Sequence, residues 1–492
     1  MSRIDLQRPD WSLFHGQFFL TRQRVDPGPA WHQFPLGEWL LYVHNALPVC
    51  RITDGQGLAV GLFLGHGIAL TGELQDGDLQ IPTDPDDEQL FTSQLYQIAG
   101  RWACLLWTGK YKRFYLDPLG SLAAVYAPSS GTLASTTTLV NVLAGAHARN
   151  LARPVYRYTP SGFQYGDLTP FEDIHRLLPN HYLDIARFTS VRHHYQEVRP
   201  ARVAMQDRTP LAAEVAHHLQ AIVATVARRY PVACTLTGGR DTRLLLACCK
   251  PFLDETRFFT FRWDRQGRNA PIDQEYPQRL AERFRLHHQY IHAPQIDAYT
   301  DQLYQMRIGF STTSGQAPNF YAGVRAGLEP GVAVLTGFGG YHRDHFWAIF
   351  DKLKQPVNGR TLVQTFHGKH LMTPRNVEAM EQLLAEIAWD DPHDLIDVLY
   401  LEQRVGSWSS PMMYGFAPGY LFLSPFCHRT IQDIRLRYPK RAIRRTTLTV
   451  ETINYIWPEL SELPYNKYRG VRELRRKVAR RIRKYRRRWH KN

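Results

Sequence analysis

The sequence predicts an α/β protein with two large domains, and three observations support that fold class. The chain has 492 residues, which is too long for a single hydrophobic core. Residues 11–185 contain short apolar runs separated by Gly, Pro and Asp, which is typical of β-sheets. Beyond residue 205, apolar strands alternate with amphipathic helices. That alternation indicates a doubly wound parallel sheet.

The N-terminal region is predicted to form stacked sheets. Its clearest strand candidates are residues 17–20, 58–64 and 102–107. The polar stretch 192–209 contains Pro200 and predicts a linker into the next domain. We therefore assign residues 11–200 to the first domain and residues 205–470 to the second. In the second domain we predict helix 211–230, strand 232–236, helix 243–250, strand 257–261, helix 273–284 and strand 332–335.

Composition limits where the protein works. Hydrophobic residues make up 44% of the chain and charged residues 21%, which excludes wholesale disorder. The six cysteines form no CxxC pair and predict no disulfide framework, so we expect a reducing, cytoplasmic location. The N-terminus lacks an apolar signal segment, and no uninterrupted apolar run approaches 18 residues. We expect a protein that is neither secreted nor membrane-spanning.

A glycine turn between a strand and a helix carries the strongest chemical signal. Two glycines let the backbone approach a pyrophosphate, and N–H groups at the helix N-terminus can face it. Threonine hydroxyls add donors, and Asp241 is a candidate Mg²⁺ ligand. An isolated Gly-Gly pair is more often a simple tight turn. The residues of this turn are Thr237, Gly238, Gly239, Arg240, Asp241 and Thr242.

This turn resembles the S-G-G-x-D-S loop of the ATP-pyrophosphatase family, with threonines replacing both serines. Other segments resemble asparagine synthetases in order and approximate spacing; they are residues 100–107, 116–121, 125–126, 177–183, 273–282, 335–340 and 424–426. The resemblance implies an N-terminal Ntn-hydrolase-like αββα sandwich followed by an adenine nucleotide α-hydrolase-like, doubly wound domain. It also implies ATP or pyrophosphate contacts at Gly337, Gly339 and Gly340, which match the family's L-T-G-x-G loop.

The chain departs from that family at several functional positions. Ser2 follows Met1 where the glutaminases carry their nucleophilic cysteine, so we expect no glutaminase activity. Tyr341 and His342 replace the acidic pair of the second loop, which leaves Asp241 and a shifted Asp344 as candidate metal ligands. Lys467 resembles the family's catalytic lysine, although an exposed lysine in a basic neighbourhood is an equally good interpretation.

The resemblance implies an ATP- and Mg²⁺-dependent ligase that adenylates a carboxylate and forms an amide. Residues 421–426 lack the charged pattern that binds aspartate, so we predict a different small-molecule, peptide or saccharide acid in a biosynthetic pathway. Without a glutaminase, nitrogen would come from ammonia, a partner enzyme or a substrate amine. Arg240 and Arg243 are candidate phosphate clamps, with Arg240 preferred. The alternative is a catalytically inert nucleotide-binding scaffold.

The C-terminal residues 471–492 form a distinct basic segment. They contain twelve Lys or Arg and one acid, and their apolar residues recur at steps of three and four. This pattern predicts a basic amphipathic helix. Docking on the protein body and attachment to an anionic membrane surface, at the inner face, are equally favoured. Nucleic acid is a weaker candidate because the rest of the chain carries little net charge.

Overall fold

We analysed a computed structural model of the chain. The structure describes residues 10–69, 77–81, 84, 86–144, 164–197, 199–263, 271–312, 317–340, 356–367, 372–416, 418–439 and 447–466. Two antiparallel-type sheets occupy the N-terminal part and one parallel sheet the C-terminal part. The predicted mixed α/β class is therefore confirmed.

The N-terminal part forms a six-stranded and a seven-stranded sheet. Its strands are β1 (Phe18–Thr21), β2 (Trp31–Leu36), β3 (Trp39–His44), β4 (Val49–Thr53), β5 (Ala59–Ile68), β6 (Leu79–Gln80), β7 (Ala99–Trp107), β8 (Lys112–Leu116), β9 (Ala124–Ala127), β10 (Thr132–Ala134), β11 (His175–Leu177), β12 (His181–Asp184) and β13 (Thr189–Arg192). The six-stranded order is β11-β9-β10-β1-β3-β2, and the seven-stranded order is β13-β12-β8-β7-β5-β4-β6. The predicted strands 17–20, 58–64 and 102–107 are confirmed as β1, β5 and β7.

Four layers follow from the way the strand side chains alternate. Strand β7 is buried almost throughout: Ala103 and Leu105 pack between the two sheets, whereas Trp102 and Cys104 face the opposite side. Helix α1 (Glu88–Leu95) covers that opposite side. Helix α2 (Thr137–Leu143) packs against the outer face of the six-stranded sheet. The layers therefore run helix, sheet, sheet, helix.

The C-terminal part is built on a five-stranded parallel sheet. Its strands are β14 (Val232–Thr235), β15 (Thr256–Trp263), β16 (His288–Ala293), β17 (Ala333–Leu335) and β18 (Leu421–Leu423), in the order β16-β15-β14-β17-β18. Its helices are α3 (Arg208–Arg229), α4 (Arg240–Cys248), α5 (Pro271–Phe284), α6 (Ala298–Arg307), α7 (Ala317–Gly327), α8 (Gly359–His367), α9 (Pro374–Ala385), α10 (Pro392–Leu399), α11 (Ser410–Phe416), α12 (Arg429–Arg437) and α13 (Leu448–Ile456). A ten-residue π-helix, Tyr400–Ser409, joins α10 to α11.

Helices cover both faces of the parallel sheet. Cys234 of β14 packs with residues of α3, α4 and α13, and its neighbour Ala233 packs with residues of α6, α7 and α11. All strand pairs are parallel. This is a doubly wound arrangement, as the alternation of strands and helices predicts. Within the described residues, no helix combines the length and apolarity that crossing a bilayer requires.

The six predicted C-terminal elements are present, and their ends differ by a few residues. Helix α4 begins at Arg240 rather than at residue 243, because the extended Gly239 already occupies the N-cap position. It ends at Cys248 because Pro251 cannot continue the backbone hydrogen bonding. A helix boundary directly after the second glycine brings Asp241 into the first turn.

Buried polar contacts join the π-helix to the N-terminal layers. Arg192 of β13 donates two hydrogen bonds to the two carboxylate oxygens of Glu402, at 2.7 and 2.9 Å, and both side chains are buried. Asn180 donates to the same carboxylate at 2.7 Å and accepts from Arg429 at 2.8 Å. Moving the π-helix away would leave a buried charge without its partner, which is strongly unfavourable. These contacts therefore fix the position of the π-helix.

Candidate functional site

The strand order places a ligand-binding crevice beside β14. Chain order proceeds outward from β14 through β15 to β16, and then resumes on the other side with β17 and β18. At such a reversal, the loops after the two adjacent strands leave the sheet in opposite directions and open a crevice at the carboxyl ends. The loop after β14 is the glycine turn, and the loop after β17 contains Gly337, Gly339 and Gly340.

The first loop is held by its own threonines. The amide of Thr237 donates to Oγ1 of Thr242 at 3.2 Å, and the two hydroxyl oxygens lie 2.9 Å apart. The amide of Gly239 donates to Oγ1 of Thr237 at 3.1 Å. The carbonyl of Gly238 accepts from the amide of Asn466 at 3.0 Å. The turn is therefore shaped before any ligand binds, with the N-terminus of α4 at its end.

The second loop lies close to Asp241, and its glycines leave room for this approach. A Cβ on Gly340 would lie 2.8 Å from Cγ of Asp241, and one on Gly337 would lie 3.2 Å from its Cβ. Gly339 has a φ of +73°, in the left-handed region that other residues rarely adopt. Two glycines of the second predicted motif thus lie beside the carboxylate of the first.

A cavity of about 550 Å³ opens at this meeting point. This volume lies in the range of about 300–1,000 Å³ that is typical of small-molecule sites. Thr237, Gly239, Asp241, Thr242, Gly337 and Gly339 line its polar end. Asp241 is only 4% exposed, so the carboxylate that faces the cavity is shielded from bulk water.

The π-helix supplies a wall that the sequence did not predict. Tyr400, Arg404 and Trp408 recur at steps of four and all line the cavity. The guanidinium carbon of Arg404 lies 3.4 Å from the centroid of the Trp408 ring. Burial raises the pKa of Tyr400 to about 12, and the charge of Asp241 contributes to that shift. Burial also lowers the pKa of Arg404. The only sequence signal was the four-residue spacing, which any helix can show.

Two aromatic pairs form the remaining walls. Phe261 of β15 and Phe320 of α7 lie 4.4 Å apart between ring centroids. Phe416 of α11 and Phe422 of β18 lie 4.6 Å apart. All four rings line the cavity. Because β15 adjoins β14 on one side and β18 lies beyond β17 on the other, the polar end has an aromatic surface on each side.

The structure places the other predicted residues differently. Arg240 begins α4, but neither Arg240 nor Gly238 lines the cavity. The prediction of Arg243 as a phosphate clamp is wrong, because its buried Nη1 donates to the carbonyls of Leu460 and Leu463 at 3.1 and 2.6 Å. Lys467, Tyr341, His342, Asp344 and residues 471–492 lie outside the described residues.

The candidate metal site consists of Asp241 alone within the described part of the chain. There, no three His, Cys, Asp or Glu side chains cluster so that they could hold a metal ion. One carboxylate fits a Mg²⁺ that arrives with phosphate oxygens and waters, because Mg²⁺ commonly uses one or two protein carboxylates.

Burial raises the pKa of the thiols of Cys50, Cys104, Cys248 and Cys427, which disfavours their thiolate forms.

No family model matches the chain, and no curated protein matches it. One solved structure with similarity is the glutamine-dependent NAD+ synthetase from Acinetobacter baumannii in complex with adenosine diphosphate, at 13% identity and a TM-score of 0.17. The match covers 47% of this chain and 43% of that chain, so this chain spans less than half of its length.

Proposed function

We propose that the protein is an ATP-dependent ligase that adenylates a substrate carboxylate and joins it to an amine or to ammonia. One observation carries the proposal: two glycine loops at the reversal point of a doubly wound sheet meet around Asp241 and open into a cavity. Phosphate-binding sites of doubly wound sheets occupy this position. The resemblance of both loops to asparagine-synthetase motifs supports this reaction class.

The polar end of the cavity suits a magnesium pyrophosphate. The first turn of α4 presents the positive end of the helix dipole, which favours an anion. Thr237 and Thr242 can turn their hydroxyls toward phosphate oxygens. Asp241 would ligate Mg²⁺, with Asp344 as a proposed second ligand, and Lys467 would stabilise the charge that develops during the reaction.

The reaction would proceed in two steps. A carboxylate oxygen attacks the α-phosphorus of ATP, the bond to the bridging oxygen breaks, and pyrophosphate leaves. The nitrogen then attacks the carbonyl of the acyl-adenylate, AMP leaves, and the nitrogen loses its extra proton to water. Backbone N–H groups that already face the departing pyrophosphate would lower the barrier of the first step, since they need no reorganisation.

The N-terminal layers are proposed to serve as a scaffold without glutaminase activity. Their helix, sheet, sheet, helix order supports the proposed Ntn-hydrolase-like assignment. The raised thiol pKa values of Cys50 and Cys104 argue against either as a replacement nucleophile. The nitrogen would then come from free ammonia, from a partner enzyme or from an amine on the substrate.

Product analysis tests this proposal. Full-length protein would be incubated with MgATP, ammonium and a panel of carboxylic acids, and AMP, ADP, phosphate and pyrophosphate would be quantified. We expect AMP and pyrophosphate in equal amounts, only when an acid is present, and no more turnover with glutamine than without any added nitrogen source. Formation of ADP and phosphate would contradict the proposal. MgATP binding with no turnover on any acid would favour the inert scaffold.

A further inference from the structure

We infer that the acid used in the proposed ligation is an apolar, aryl-type carboxylic acid, and that Arg404 binds its carboxylate. The inference rests on the proposed function and extends it to the substrate class. The cavity wall formed by the π-helix and α11, together with β18, supplies the residues that carry it: Arg404, Trp408, Phe416 and Phe422.

The order of side chains along the π-helix matches an acid whose carboxylate faces the phosphate loop. Tyr400 lies close enough to Asp241 for the carboxylate to raise the pKa of its hydroxyl. Arg404 follows after four residues and Trp408 after four more, and all three line the cavity. Along the π-helix, starting from the residue that interacts with Asp241, the wall therefore changes from polar to cationic to aromatic. An acid bound along it would place its carboxylate beside the nucleotide phosphates and its body against the rings.

Arg404 has the geometry of a carboxylate receptor. Its guanidinium stacks on Trp408 at 3.4 Å, and stacking leaves the N–H groups at the edge of the plane able to donate in pairs. Among the described residues, no acidic side chain forms an ion pair with it. A partly buried cation without an acidic neighbour is stabilised by an anionic ligand.

The two aromatic surfaces allow the nucleotide and the acid to bind separately. Phe261 and Phe320 come from β15 and α7, whereas Phe416 belongs to the helical segment that continues from Arg404 and Trp408. Of these two surfaces, only the second has a ring on the helix that directly continues the π-helix of Arg404. We therefore assign the purine to the Phe261–Phe320 side and the acid to the Phe416–Phe422 side.

The same wall disfavours amino acids and sugar acids. Among the described residues that line the cavity, Asp241 is the only acidic one, so an α-ammonium group beside the rings would find no carboxylate among them. The hydroxyl of Ser409 already donates to the carbonyl of Arg404 at 3.2 Å. Hydroxyls of a sugar placed against Phe416 and Phe422 would lose water without gaining partners. An aromatic ring has no hydroxyl groups whose hydrogen bonds to water would be lost there, and it can pack against both phenyl groups.

ATP–pyrophosphate exchange with full-length protein tests the substrate class. The probes are cinnamate, 3-cyclohexylpropanoate, aspartate and glucuronate. We expect kcat/KM to be highest for cinnamate and at least about tenfold lower for aspartate and glucuronate. Preference for either polar acid would overturn the inference and leave the proposed function standing. If no acid supports exchange, calorimetric binding of cinnamate in the presence of a non-hydrolysable ATP analogue decides, and absence of binding overturns the inference.

Variants of Arg404 test the carboxylate contact. Arg404→Met should raise the KM or Kd for cinnamate by about tenfold or more and leave the Kd for ATP unchanged. Arg404→Lys should give a KM or Kd for cinnamate between those of wild type and Arg404→Met. Arg325→Met is the matched control, because Arg325 is exposed, lies over the ring of Tyr321 at 5.7 Å from its centroid, and is not among the residues that line the cavity. A change in ATP binding without a change in cinnamate binding would show that Arg404 contacts the nucleotide instead. Melting temperatures of all three variants confirm that they fold.

Discussion

Asp117 and Asp241 are two buried aspartates with different surroundings, and both are almost fully shielded, at 0% and 4% exposure. Asp117 directly follows β8, whereas Asp241 lies in the first turn of α4, after the glycine turn that follows β14. Asp117 accepts hydrogen bonds from six groups of the protein itself. The donors are the amides of Trp102, Leu119, Ser121 and Leu122, the hydroxyl of Ser121 and the thiol of Cys427.

Asp241 instead lines a cavity, and Gly337 and Gly340 of the second loop lie close to it. Burial alone therefore does not show whether a carboxylate can meet a ligand. The two carboxylates differ in what they border: six donors of the protein enclose Asp117, whereas Asp241 borders a cavity that a ligand can enter. Asp117 fastens the N-terminal layers to the C-terminal part through Cys427, whereas Asp241 faces the space where a ligand would bind.

The largest expected effect follows from removing the saturated carboxylate. Asp117→Ala would leave several buried donors without an acceptor, and we expect the free energy of unfolding to fall by on the order of 3–5 kcal/mol. Chemical denaturation measures this loss. Asp54→Ala is the matched control, because Asp54 accepts only the amides of Gln56 and Leu58 in its own hairpin turn. If both Asp117→Ala and Asp54→Ala lower the free energy of unfolding by only about 1 kcal/mol or less, the six donors of Asp117 do not make it a structural carboxylate.

The same distinction explains what the sequence could predict. The turn around Asp241 was predictable because its glycines and its carboxylate are contiguous and sit between a strand and a helix. The π-helix wall was not, because a four-residue spacing of Tyr400, Arg404 and Trp408 does not tell which neighbours the helix faces. That information depends on Arg192 and Glu402, which are far apart in sequence and pair only in the folded protein. Long-range packing of this kind has no local signature.

A smaller loss of folding stability should appear when pH falls, and it arises mainly from buried histidines of the N-terminal part. Burial lowers the pKa of His44, His66, His194 and His428 to about 4. These rings are neutral in the fold, whereas the unfolded chain binds protons below about pH 6.5. Stability is therefore fully present above that pH and is lost as pH falls toward 4.

Thermal melts between pH 7 and 5 test this expectation, because few carboxylates of the unfolded chain titrate in that window. We expect the melting temperature to decline steadily below about pH 6.5. A constant melting temperature down to pH 5 would mean that these four rings are not held neutral by burial.

The smallest expected effect on stability comes from the basic segment 471–492. We propose that it attaches the protein to an anionic membrane surface, to which each nearby Lys or Arg contributes up to about 1 kcal/mol. Its deletion should abolish sedimentation with phosphatidylserine vesicles, and high salt should weaken the binding of the full chain. The melting temperature should stay unchanged. A variant with the tail's Lys and Arg replaced by Gln keeps the apolar stripe and isolates the charge.

The alternative role of this segment, docking on the protein body, predicts the opposite pattern. Deletion would then expose the apolar surface that the segment covers and lower stability by roughly a few kcal/mol. Absence of vesicle binding by the full chain, together with a lower melting temperature after deletion, would retire the membrane proposal.

The most direct test of the account is calorimetric binding of a non-hydrolysable ATP analogue with Mg²⁺ to three proteins: wild type, Asp241→Asn and Asp254→Asn. Asp254 is exposed and lies before β15, at the opposite end of the sheet from the cavity. We predict binding to wild type, at least about tenfold weaker binding for Asp241→Asn, equivalent to ~1.4 kcal/mol, and no change for Asp254→Asn. Undetectable binding to wild type, or equal affinity for all three proteins, would contradict a nucleotide site at Asp241.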